Sequence, residues 1–180
     1  MKKLVFIAIL FLNSCATTGK IAAADDILEF ANGLQNNDSY KIERHLDRES
    51  LKRQANFIAR DIAIDQATKQ MGNDFKAKLA AVAIANLAKP IVDMITDEAL
   101  SAENLSYFAQ KAGLNQNLKL PSRFKTSLAI QYISDTKVCI PDDNTKKCIL
   151  YFGQYPDAWK LYAIDEAALR ARLKAKNYSL

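Results

Sequence analysis

Residues 136–154 read TKVCIPDDNTKKCILYFGQ, and this stretch decides the fold class. Pro141-Asp142-Asp143-Asn144 is turn chemistry, because these side chains preset φ or bond their own backbone. The flanks, Thr136 to Ile140 and Lys147 to Gln154, are rich in β-branched and aromatic residues and read as paired strands. Cys139 and Cys148 stand on either side of the turn. Opposed residues of an antiparallel pair have Cα atoms about 4.5–5.5 Å apart. That falls inside the disulfide range of about 4.4–6.8 Å. A redox-active pair is normally Cys-x-x-Cys near a helix start, so a structural Cys139–Cys148 disulfide is expected ahead of a redox or metal role.

Strand character continues toward the C-terminus. Gly153-Gln154-Tyr155-Pro156-Asp157 is a turn, and Ala158 to Ile164 alternates Trp159, Leu161 and Ala163 against Lys160 and Tyr162. Asp165 caps a last short helix ending near Lys176. On the N-terminal side, Phe124, Thr126, Leu128, Ile130 and Tyr132 alternate with polar residues and predict a first, half-buried strand.

Before Pro121 the period changes to that of helices. Ala23, Ile27, Phe30, Ala31 and Leu34 form the stripe of an amphipathic helix over about Ala22 to Asn36. A short helix follows over about Tyr40 to Leu46. Asp47, or alternatively Ser50, caps a third over Arg48 to Gln70, with Leu51, Ala55, Ile58 and Ile62 on one side. A fourth begins near Asp74; its alanine-rich stretch Ala77 to Ala88 reads as the central buried helix, kinked or ended at Pro90. Ser101 caps a fifth, ended by Gly113. About five helices followed by hairpin-linked strands predict an α+β domain, with the helices on one face of a four-stranded antiparallel sheet.

The N-terminus carries a separate message. Met1-Lys2-Lys3 is followed by nine unbroken apolar residues, Leu4 to Leu12, then Asn13, Ser14 and Cys15. A charged start, a short apolar run and a small residue make a secretory signal. Nine residues are too few for a bilayer core, which takes about 20. Leu12-Asn13-Ser14-Cys15 resembles the lipobox of bacterial lipoproteins, Asn13 being its departure from the pattern. The resemblance implies a signal peptide over 1–14, a lipid such as palmitate on Cys15, a short tether over 15–21 and a domain over 22–180. Ala16 after the cysteine implies, by the same resemblance, an outer-membrane location facing the periplasm. The alternative is an ordinary secretory peptide cut after Ala22-Ala23-Ala24.

Composition narrows the rest. The chain of 180 residues is long enough for one domain with a real core. Its net charge of +5 falls to +3 once Lys2 and Lys3 are removed, and its basic residues are dispersed among acidic ones. No dense basic run with aromatics exists, so nucleic acid is not an expected partner. His45 is the single histidine, which removes any two-histidine metal site. It reads as a satisfied, half-buried residue, and Asp47 as a helix cap. Asp61 with Asp65, and Asp93 with Asp97, are four apart but read as solvated surface. The Asp142-Asp143-Asn144 turn lacks the remainder of a calcium loop. No catalytic residue, metal or cofactor is expected.

Residues Ala31 to Asp38, Arg44 to Arg48 and Leu51, with Ile95 to Leu100 and Ala158 to Leu161, resemble an uncharacterised bacterial family known only as a domain of unknown function. That resemblance implies no activity. The layout also resembles nuclear-transport-factor-like cone folds, which often enclose an apolar pocket. Among the aromatic residues, Tyr132, Tyr151, Phe152 and Trp159 are the candidate ligand-pocket residues, with sheet core as the competing reading. The leading expectation is a non-catalytic binding module for a small apolar ligand or an envelope partner. An assembly factor or an immunity-type inhibitor is the alternative, and an enzyme the third.

Overall fold

The expected order of helices followed by sheet is what the chain adopts. The computed structural model describes residues 14–71, 75–167 and 170. Among them six helices precede four strands: α1 (Ser14–Asn36), α2 (Ser39–Arg44), α3 (Arg48–Met71), α4 (Phe75–Ala99), α5 (Ala102–Lys111), α6 (Arg123–Ala129), β1 (Gln131–Ser134), β2 (Lys137–Pro141), β3 (Cys148–Gln154) and β4 (Trp159–Ile164). The strands form one antiparallel sheet in sequence order. Residues 1–13, within the expected signal peptide, and most of the expected last helix lie outside the described residues, although 166, 167 and 170 are helical. Among the described residues no helix is long and apolar enough to cross a membrane.

The core lies between α1, α2 and the inner face of the sheet. Ala23, Ala24, Ile27 and Phe30 of α1 and Ile42 of α2 meet Val138, Phe152, Trp159 and Leu161. Phe152 sets its ring edge-on to Phe30 at 6.1 Å, the favoured arrangement for an aromatic pair. Caps fix where the helices start. Asp38 accepts from the Lys41 amide, Asp47 from the Ser50 amide and Ser101 from the Asn104 amide. Gly113 follows α5 at φ 102°, a left-handed position that suits glycine. Residues 45–47 run along β4, with the Asp47 amide bonded to the Leu161 carbonyl and the Leu161 amide to the His45 carbonyl, so this sheet edge is covered.

The Cys139–Cys148 disulfide is present, its Cα atoms 5.6 Å apart. The two residues are not directly opposed: Cys139 faces Tyr151 and Cys148 faces Pro141, with a register shift at Ile140–Pro141.

Four expectations need correction. Residues 124–129 are helix α6 instead of strand. The Ser122 hydroxyl caps them by accepting from the Lys125 amide, which outweighs the two-residue alternation. Residues 15–21, expected as a tether, are helical from Ser14 onward. Of the two outcomes expected at Pro90, an end to the helix is overturned: the fourth helix runs from Phe75 to Ala99 with Pro90 inside it. An internal proline costs about 3 kcal/mol; packing along α3 opposes that cost, with Asn56 bonded to Asp93 and Lys52 paired with Asp97 at 2.6 Å. Finally, among its described residues α4 is not buried all round. Ala83 and Asn86 are exposed, and α4 packs chiefly on α3 as one arm of a helical hairpin beside the core.

Candidate functional site

Among the described residues, the α3–α4 hairpin leaves an apolar surface lining a groove. On α3, Leu51, Ala55, Ile58 and Ile62 form the stripe seen in the sequence, and Ala59 and Ala63 lie beside it. Across from them α4 brings Val92, Ile95 and Ala99. The alanines carry too little side chain to close the gap, and a groove of about 580 Å³ remains. Leu100 and Ile164, at the end of β4, close one side of it. Its polar groups are few. Gln66 and Thr96 are among the lining residues, while the Gln54 amide is spent on Ile164: its nitrogen donates to the carbonyl at 2.6 Å and its oxygen accepts from the amide at 3.0 Å. Such a wall favours an apolar guest. Among the described residues that line it, none carries a titratable side chain.

The four aromatic candidates sit away from the groove, with Phe152 and Trp159 in the core cluster and Tyr132 packed against it. Phe152 and Trp159 are 1 % and 3 % exposed, inside the core. Tyr151 stacks obliquely on Tyr162 at 6.4 Å. Burial pushes the Tyr162 hydroxyl up from its ordinary pKa, and Tyr151 adds to that. Tyr132 lies under the Lys20 ammonium, 5.1 Å from the ring centre. Burial and then Asp135 raise its hydroxyl. None of the four lines the groove. Sequence alone does not nominate the groove residues, because a helical stripe says that a face seeks cover without saying how completely it is covered. The signal available is the run of alanines at 55, 59 and 63 beside large aliphatics.

His45 is more enclosed than expected, being fully buried. Its Nδ1 is 3.0 Å from the Trp159 carbonyl. A carbonyl only accepts, so Nδ1 carries a proton. Nε2 faces Glu29 Oε2 at 3.2 Å, and the Trp159 amide donates to Asp26 Oδ2 at 2.8 Å. Asp26, Glu29 and His45 therefore bring three possible metal-ligand atoms within 4.8 Å of one another. Two of these side chains are already committed to the Trp159 backbone. The cluster works as a knot joining α1, α2 and β4.

The carboxylate pairs picked out by their spacing are occupied as well. Asp61 pairs with Arg170, Asp65 with Lys69, Asp93 with Lys89 and Asp97 with Lys52. The Lys89 ammonium and then the Asn56 amide hold the Asp93 carboxyl below its usual range. Asp142 sits low because the Thr145 amide and hydroxyl bond to it within the turn. Asp47 is the most engaged. Burial pushes its carboxyl up, but bonds from the Ser50 hydroxyl, the Tyr155 hydroxyl and the Ser50 amide, with Arg53 nearby, together bring it below the ordinary value.

No family model, no curated protein and no solved structure matches this chain. The resemblance to the uncharacterised bacterial family thus rests on its short motifs alone.

Proposed function

We propose that this chain is a lipid-anchored protein of the bacterial envelope and a non-catalytic binding module that takes a small apolar ligand in the α3–α4 groove. The groove carries the reading. Its volume of about 580 Å³ lies within the range of about 300–1,000 Å³ typical of small-molecule sites, and its lining is aliphatic. The anchor is Cys15, with the outer membrane, facing the periplasm, as its location. Cleavage after Ala24 instead would strip Ala23 and Ala24, both fully buried, from the core.

A second reading has its own observation. Phe57, Met94 and Ile95 are more than half exposed on the same hairpin, which suits the apolar face of an envelope protein. Displacement of a fluorescent fatty acid separates the two. Ala59→Trp, which fills the groove, is expected to weaken dye binding at least about tenfold with circular dichroism unchanged. Equal binding by the variant would leave the groove without a ligand and favour the protein partner. Incorporation of labelled palmitate by wild type and not by Cys15→Ser is the expected result for the anchor; equal labelling would refute it.

A further inference from the structure

Helix α6 is built inside out. An ordinary surface helix turns its apolar residues inward and its polar ones to water. Here Phe124 and Leu128, four apart on one face, are 67 % and 69 % exposed, while Thr126 and Ser127 are buried. The buried hydroxyls need no outside partner, since Thr126 donates to the Ser122 carbonyl and Ser127 to the Phe124 carbonyl. Ile133, at the next corner on β1, is 48 % exposed.

This corner is held against the beginning of α1. Arg123 Nε meets Asp25 Oδ1 at 2.8 Å, and Gly19 and Lys20 lie against Tyr132 of β1. Residues 14–36 are helical, and Cys15 is only four residues before Gly19. At about 1.5 Å of rise per residue that is about 6 Å along the axis. A stiff helix rather than a loose tether therefore connects the acyl chains to the α6–β1 corner. Lys20 and Lys125 add positive charge there; Arg123 is spent on Asp25, and Asp135 is the opposing acid near Tyr132.

The geometry points to this corner as a membrane-contact face, with Phe124 and Leu128 dipping into the headgroup–acyl boundary of the bilayer that holds the anchor. The inference rests on lipidation of Cys15. Interfacial apolar faces enter that boundary by about 5–10 Å; the Tyr132 end of the corner meets α1 about 6 Å of helical rise from Cys15, and the Arg123 end, held at Asp25, about 15 Å. Any other occupant would have to displace lipid from it. Lysines beside such a face favour anionic headgroups.

The test uses the full lipidated chain in vesicles of phosphatidylethanolamine and phosphatidylglycerol whose acyl chains carry bromine. Phe124→Trp and Leu128→Trp each place an indole at the corner. Tyr40→Trp places one at a 74 % exposed position near the other end of α1. Trp159 is common to all three and cancels. Quenching at least about twofold stronger at 124 or 128 than at 40 is expected. Equal quenching at all three positions, in a chain that incorporates labelled palmitate, would overturn the membrane face and leave the anchor standing. A chain that takes up no palmitate would overturn both.

Discussion

Replacing Asp47 with alanine tests the joint between the helical arm and the sheet. Asp47 caps α3 through the Ser50 amide at 3.0 Å and accepts from the hydroxyl of Tyr155, which directly follows β3. Loss of an N-cap costs about 1 kcal/mol. Loss of a hydrogen bond to a charged acceptor costs about 1.5–3 kcal/mol. The variant should therefore lose about 3 kcal/mol. For a domain of this size the melting temperature should fall by about 6–12 °C. Urea unfolding reports the loss through Trp159, the single tryptophan, which is 3 % exposed. Asp47→Asn keeps a capping oxygen but removes the charge, so it should lose less. The pH dependence follows from the lowered carboxyl. A group whose folded pKa is depressed stabilises the fold fully above its unfolded value, about 3.9 for aspartate. That contribution disappears as pH falls through the lower folded value. The gap between wild type and Asp47→Ala should thus be full at neutral pH and shrink in strong acid. A loss under about 0.5 kcal/mol, or a gap that widens in acid, would refute the reasoning.

Two further perturbations probe the core and the hairpin. A methyl at Gly33 would sit 2.9 Å from Lys41 Cβ and 3.2 Å from Ile42 Cγ1, so Gly33→Ala should cost about 1–3 kcal/mol by forcing α1 and α2 apart; an unchanged denaturation midpoint would contradict that close approach. Removing the disulfide with Cys139→Ala and Cys148→Ala reopens a short loop and should cost about 2–3 kcal/mol, read as the shift of the urea midpoint.

Much of this fold is legible in the sequence, and the misreadings have physical causes. Trp159 and Leu161 alternate against Lys160 and Tyr162, and the first two are buried as that pattern demands. Asp47 and Ser101 cap their helices, and Leu51 and Ile58 face inward. Helix α6 defeats the same logic because Phe124, Thr126 and Leu128 alternate like a strand while the Ser122 cap and a reversed burial pattern make a helix. Pro90 reads locally as a kink or an end, and α4 continues through it while packed along α3. The knot at His45 depends on residues more than a hundred positions apart, which no periodicity reveals. The groove is the deepest case, because Ala55, Ile58 and Ile62 look the same in sequence whether a neighbour covers them fully or leaves room for a guest.

The measurement that bears most directly on the proposed function is native mass spectrometry of residues 16–180, purified from the periplasm without detergent. A discrete extra mass that disappears on denaturation and is missing from Ala59→Trp is the expected result. A bare chain, lighter by two hydrogens for the Cys139–Cys148 bond and carrying nothing else, would contradict the groove as a ligand site.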